Sequence, residues 1–208
     1  KPGAALAEQA EQIGKFLKQR VDYVIFTHNA SRHKALIRKI MARGEVKLIL
    51  QNITTPLKSL AGMQPLQYVG FDHAIGTEIL AREYLKRTNG RGDYAMLYGP
   101  RGYVNDIRGG TFYAKMKKYP GLRLKASYHV GFDREKSYIA TMDLLKNHPE
   151  LKFIFSSSTD IALGVIDALK QTGKLGQIMT NGWGGGESEL AAIERGELDF
   201  TVMRMNDD

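Results

Sequence analysis

Arg108 and Arg204 are the sharpest chemical feature of this 208-residue sequence. An arginine stays protonated and offers a planar fork of donors that fits an oxyanion. Each charge-assisted hydrogen bond from such a fork is worth roughly 1.5–3 kcal/mol. Arg108 alone reads equally well as a surface arginine paired with an acid. Arg204 sits in the apolar run VMRMN, which favours a lined cleft. Amides, hydroxyls and one ring accompany them. Asn52 is followed by Ile-Thr-Thr, and Ser157-Ser158-Thr159-Asp160 is a run of hydroxyls ending in an acid. Trp183, the single tryptophan, lies among glycines in Gly182-Trp183-Gly184-Gly185-Gly186. There it either stacks on a ligand ring or packs beneath a loop. Together these residues are a kit for gripping a small polyhydroxylated or anionic molecule.

The elements that must position them alternate along the chain. Short β-branched or aromatic runs are followed by segments of helical period. Strands are expected at 21–27, 46–51, 66–71, 93–98, 122–130, 151–156, 176–181 and 198–203. Helices are expected at 4–20, from Ser31 to about 42, and at 72–87, 105–118, 135–147, 160–171 and 187–195. Such alternation predicts an α/β fold with parallel sheets and helices on both faces. In open parallel sheets a ligand binds beyond the carboxyl ends of the strands. Asn52 follows one strand, the loop before Arg108 another, and Ser158, Thr159 and Asp160 a third. Trp183 and Arg204 follow the last two. Ser158 or Thr159 is also expected to cap its helix, which is compatible with binding because free helical N–H groups face the same crevice.

Composition removes several alternatives. There is no cysteine, so disulfide frameworks, thiol catalysis and Cys-ligated metals are excluded. No apolar run approaches the ~20 residues of a membrane span. A net charge of +8 permits an anionic partner without demanding one. His28 and His33 are too far apart to share a helix face as a metal pair, and no GxSxG elbow, Walker A loop or HExxH is present. A binding protein is expected, not an enzyme. The N-terminal KPGAALAEQAEQIG reads as the interior of a longer chain, not as a signal peptide.

Eight segments resemble the type I periplasmic binding protein family: DYVIFT, SRHKALI, KLILQNITTP, YVGFDHA, GYVNDIRGGTF, SSSTDIALGVIDAL, NGWGGG and TVMRMNDD. Within that family QNITTP, NGWGGG and TVMRMNDD resemble the autoinducer-2 receptors of quorum sensing. The resemblance implies two lobes joined by a hinge, with residues 1–70 a partial N-terminal lobe. It makes residues 71–203 the C-terminal lobe and 204–208 the start of the crossover back. It implies a furanosyl borate diester as ligand, an anion that two arginines would clamp. The implied ligand residues are Asn52, Arg108, Ser158, Thr159, Asp160, Trp183 and Arg204. No cofactor is implied, boron entering only with the ligand. The implied location is the periplasm and the implied partner the periplasmic domain of a membrane sensor histidine kinase. An incomplete N-terminal lobe would expose a sheet edge and so permit a dimer. Two alternatives share the fold: a ribose-like sugar-binding protein of a transporter, and the effector domain of a repressor. Trp183→Ala is expected to weaken binding and leave thermal stability near wild type, a large loss of melting temperature pointing instead to core packing.

Overall fold

The computed structural model describes residues 6–27, 34–51 and 65–204. Asn52 and Ser31 lie outside them. The chain divides into two compact units, Lys1–Asp72 with Met205–Asp208, and His73–Arg204.

In the first unit, helix α1 (Leu6–Lys18) precedes β1 (Tyr23–Thr27), α2 (Lys34–Met41), β2 (Lys47–Gln51) and β3 (Gln67–Val69). The strands form a parallel sheet in the order β1-β2-β3. Side chains alternate across a strand, so Val24 and Phe26 of β1 and Leu48 and Leu50 of β2 share one face. That face packs on Ile13 and Leu17 of α1 and on Ile37 and Ile40 of α2. Tyr23 and Ile25 on the opposite face are exposed.

The second unit continues with α3 (His73–Thr88), β4 (Gly92–Tyr98), α4 (Tyr103–Met116) and β5 (Leu122–His129). It ends with α5 (Arg134–Asn147), β6 (Leu151–Ser156), α6 (Thr159–Gln171), β7 (Met179–Thr180) and α7 (Glu187–Glu194). Its parallel sheet has the order β5-β4-β6-β7. β4 and β6 occupy the middle and are buried almost throughout, as strands covered on both faces must be. On one side Leu97, Ile154, Val165 and Leu144 pack together. Elsewhere aromatic rings stack: Tyr94 lies 4.9 Å from Phe153, and Phe112 4.1 Å from Phe155.

The expected strand at 198–203 forms only two isolated parallel bridges, Asn181 with Phe200 and Gly184 with Met203. The Gly182 and Gly184 N–H groups still reach the carbonyls of Phe200 and Val202, but those of Trp183 and Gly185 turn to the buried carboxylate of Glu189. β7 is likewise cut to two residues, because Asn181 turns its amide back onto the carbonyl of Ser156 (2.8 Å). Helix α4 begins two residues earlier than the periodicity suggests. Gly102 precedes it with φ 146°, a turn that a side chain would resist, and the helix starts directly behind it.

Candidate functional site

The chain leaves β4 for β5 on one side and returns to β6 on the other. The loops after β4 and β6 therefore diverge at a topological switch point, where an open parallel sheet leaves a crevice. One hydrogen bond spans it: the Gly99 N–H, just after β4, donates to Ser157 Oγ at 3.0 Å, just after β6.

Arg108 reaches this place from the second turn of α4. It is 5% exposed. Its Nη1 donates to the Ser157 carbonyl at 2.7 Å and its Nε to His73 Nδ1 at 3.2 Å. Accepting at Nδ1 makes His73 the tautomer with its proton on Nε2. Both acceptors of Arg108 are neutral. Its guanidinium lies 3.5 Å from the centroid of the Trp183 ring, a cation–π stack. Burial pushes its pKa down, and the nearby charge of Arg204 pushes it further, while Glu189 opposes both. The result is about 9, which leaves the group cationic at neutral pH.

Trp183 is 2% exposed. Its Nε1 donates to Thr77 Oγ1 at 3.2 Å, and its ring lies against α3 where Gly76 leaves room. A Cβ at position 76 would stand 3.0 Å from the ring. Trp183 is therefore packed as a core residue while one face of it carries Arg108. This overturns the expectation that Trp183→Ala spares stability, because removing a buried indole leaves a cavity.

The loop that carries Trp183 is held by Glu189 of α7, which is fully buried. Its Oε1 accepts from the Trp183 N–H (2.9 Å), and its Oε2 from the Gly185 N–H (2.7 Å) and the Thr201 hydroxyl (2.6 Å). A side chain at 182 would collide with that carboxylate, so Gly182 is required there. Gly184 serves differently. A Cβ on it would stand 3.0 Å from Arg204 Nη2 and 3.2 Å from Thr159 Oγ1. The missing side chain lets the guanidinium of Arg204 and the hydroxyl of Thr159 flank the loop. The Arg204 N–H also donates to the Gly184 carbonyl at 3.1 Å.

The fold thus brings together Arg108, Trp183, Thr159 and Arg204. Ser158 is the N-cap of α6, its Oγ accepting from the Ile161 N–H at 3.4 Å. Asp160 stands exposed in the first turn of that helix, where its charge acts on Arg134. Arg204 is exposed despite its apolar neighbours in sequence. Ser157, first of the expected hydroxyl run, belongs to the same assembly, and so do His73, Thr77, Gly76 and Glu189, which were not among the candidates. Only Glu189 carried a usable signal: an acid six residues past the tryptophan of a glycine-rich loop, early in a helix, where a carboxylate can turn back onto loop N–H groups. Among the described residues, no cluster of three or more His, Cys, Asp or Glu side chains could hold a metal ion, and no helix is long and apolar enough to cross a membrane.

A family model for the periplasmic binding protein domain matches residues 2–206. The chain belongs to that family. The D-apiose import binding protein of Paraburkholderia graminis is 22% identical over 207 residues, covering 88% of this periplasmic binding protein chain and 66% of the relative. A solute binding protein of an ABC transporter from Bacillus halodurans, solved with myo-inositol, superposes with a TM-score of 0.87 at 22% identity, over 96% of this chain and 69% of that one. The fructose binding periplasmic domain of the hybrid two component system BT1754 gives 0.84 at 21% identity, over 97% and 67%. The α/β fold of parallel sheets flanked by helices is thus shared with sugar-binding proteins. The chain spans about two thirds of the length of such relatives.

Proposed function

We propose that this chain is the larger part of a periplasmic receptor for a small cyclic polyol, and that the preferred polyol carries negative charge. The observation that carries the charge assignment is Arg108. It is buried beside a second arginine, its hydrogen-bond acceptors are neutral, and its charge is penalised by both burial and Arg204. A bound anion would relieve that penalty. The half-buried Thr159 hydroxyl, on the same side of the loop as Arg204, supplies a contact of the kind a sugar-like ring requires. Within this class the furanosyl borate diester form of autoinducer-2 fits best, since it joins a furanose to a fixed negative charge on tetrahedral boron. The receptor catalyses nothing and needs no cofactor. Its partner is the periplasmic part of a membrane sensor kinase, a reading supported by the likeness to a binding domain of a two component system. The ligand drives such a partner only by its differential affinity for one conformation.

A second reading is the binding protein of a sugar importer, with a neutral pentose or cyclitol as ligand. The relatives favour it, because the D-apiose and myo-inositol binding proteins share the fold. Calorimetric titration of the full-length protein separates the two. Its ligands are the autoinducer-2 precursor, with and without borate, and ribose. Tight binding that needs borate is the expected result. Under that result Arg108→Ala and Arg204→Ala each weaken binding by about 1.5–3 kcal/mol. Binding of ribose alone, unaffected by borate, overturns the anion assignment in favour of the importer.

A further inference from the structure

Asn105 lies in the first turn of α4 and is 5% exposed. Among the described residues its Oδ1 is buried without a hydrogen-bond partner. Such an acceptor is costly in a folded chain and rare without a reason. Its placement supplies one. Side chains lean toward the N-terminus of their helix, so Asn105 points at the start of α4. That start has no side-chain cap: Gly102 occupies the N-cap position and only its carbonyl is engaged, by the Asp106 N–H at 2.8 Å. Asn105 also precedes Arg108 by three residues, so the two share one helix face. That face meets His73, Ser157 and Trp183 through Arg108.

We propose that Asn105 is a specificity-determining ligand contact, its Oδ1 accepting a hydrogen bond from a ring hydroxyl held beside Arg108 at the N-terminus of α4. Arg108 selects an oxyanion and Asn105 selects a hydroxyl next to it. The pair explains a site that takes a polyol in preference to a simple anion. Because Oδ1 is covered, its partner arrives with the ligand as the covering residues rearrange. The inference rests on reading this site as one for small polyols.

The test is Asn105→Ala in the full-length protein, with two readouts. The first is affinity for the autoinducer-2 precursor with borate, for ribose and for 2-deoxyribose. The variant should bind whichever hydroxylated probe the wild type binds about three- to tenfold more weakly. If ribose is that probe, the gap between ribose and 2-deoxyribose should also narrow. The second readout is the melting midpoint without ligand. Removing an unpaired buried acceptor should leave it unchanged or raise it. A fall of several degrees would mean that Asn105 is a structural residue and would overturn the proposal, as would unchanged affinity. If the wild type binds none of the probes, the polyol receptor reading fails. The ligand-free melting midpoint then still decides whether Asn105 carries an unpaid polar group. Asn105→Ser, which restores a smaller acceptor, should recover part of the affinity.

Discussion

Arg108 is costly to the fold, and the proposed anionic ligand is what would offset that cost. Its charge is buried beside another cation, its hydrogen-bond acceptors are neutral, and its depressed pKa records the penalty. Replacing a buried ion pair by apolar chains is often neutral or stabilising, because the charges no longer need desolvating. Arg108→Met removes that cost but leaves the buried Ser157 carbonyl and His73 Nδ1 without their donor. Stability in denaturant unfolding without ligand should therefore stay within about 2 kcal/mol of wild type, while binding of the anionic ligand is lost. A loss of more than about 2 kcal/mol would instead make Arg108 a structural strut through its bonds to Ser157 and His73. Trp183 has the opposite balance. Its indole is sealed against Gly76 and Thr77, so Trp183→Ala should cost about 3–5 kcal/mol of stability. Trp183→Phe keeps most of the packing and a cation–π face. It should retain more of the stability and bind with intermediate affinity.

At the scale of elements, the site depends on how α7 grips a loop. The three donors to Glu189 come from Trp183, Gly185 and Thr201, so one carboxylate sets the path of the glycine-rich turn. Asn181 sets where that turn begins. Its amide donates to the carbonyls of Ser156 and Gly182 and accepts from the Ser156 N–H and the Tyr84 hydroxyl. Glu189→Gln replaces an acceptor by a donor among N–H groups. It should cost about 2–4 kcal/mol. It should also redden the emission of Trp183, the single tryptophan of this sequence. An unchanged spectrum would mean that the loop is held by its backbone bridges to Val202 and Phe200. The approach of α5 to α6 rests on Gly164, where a Cβ would collide with the Arg134 carbonyl and stand 2.7 Å from Ser137 Cβ. Gly164→Ala should destabilise the second unit by about 1–3 kcal/mol in thermal unfolding, through overpacking.

Across the whole molecule the two units carry separate apolar cores. One is centred on Ile37, Ile40, Leu48 and Leu50, and the other on the residues around β4 and β6. Units with their own cores can unfold as separate cooperative transitions. Scanning calorimetry of this chain should resolve two. Ile37→Ala, which empties a site 1% exposed in the first core, should lower one midpoint and leave the other in place. A single transition that shifts as a whole would show that the units fold as one. The candidate site described above lies within the second unit, so a probe of Trp183 should follow the transition that Ile37→Ala leaves unmoved.

Alternation of strand and helix was legible in the sequence, because it depends on neighbours two, three or four residues apart. The apolar runs DYAMLY in β4 and LKFIFS in β6 announced strands of a parallel sheet. Residue type and position after a strand were enough to single out Arg108, Trp183, Thr159 and Arg204 as candidates. Tertiary structure decided the rest. The order β5-β4-β6-β7 places the switch point between β4 and β6, and strand order is not written in local periodicity. The same holds for the stack of Arg108 on Trp183, for the bond from Trp183 to Thr77 and for the burial of Glu189. These partners lie far apart in sequence or, as with Glu189, look like ordinary polar residues on a helix. Only packing determines which of them lose water and must find each other.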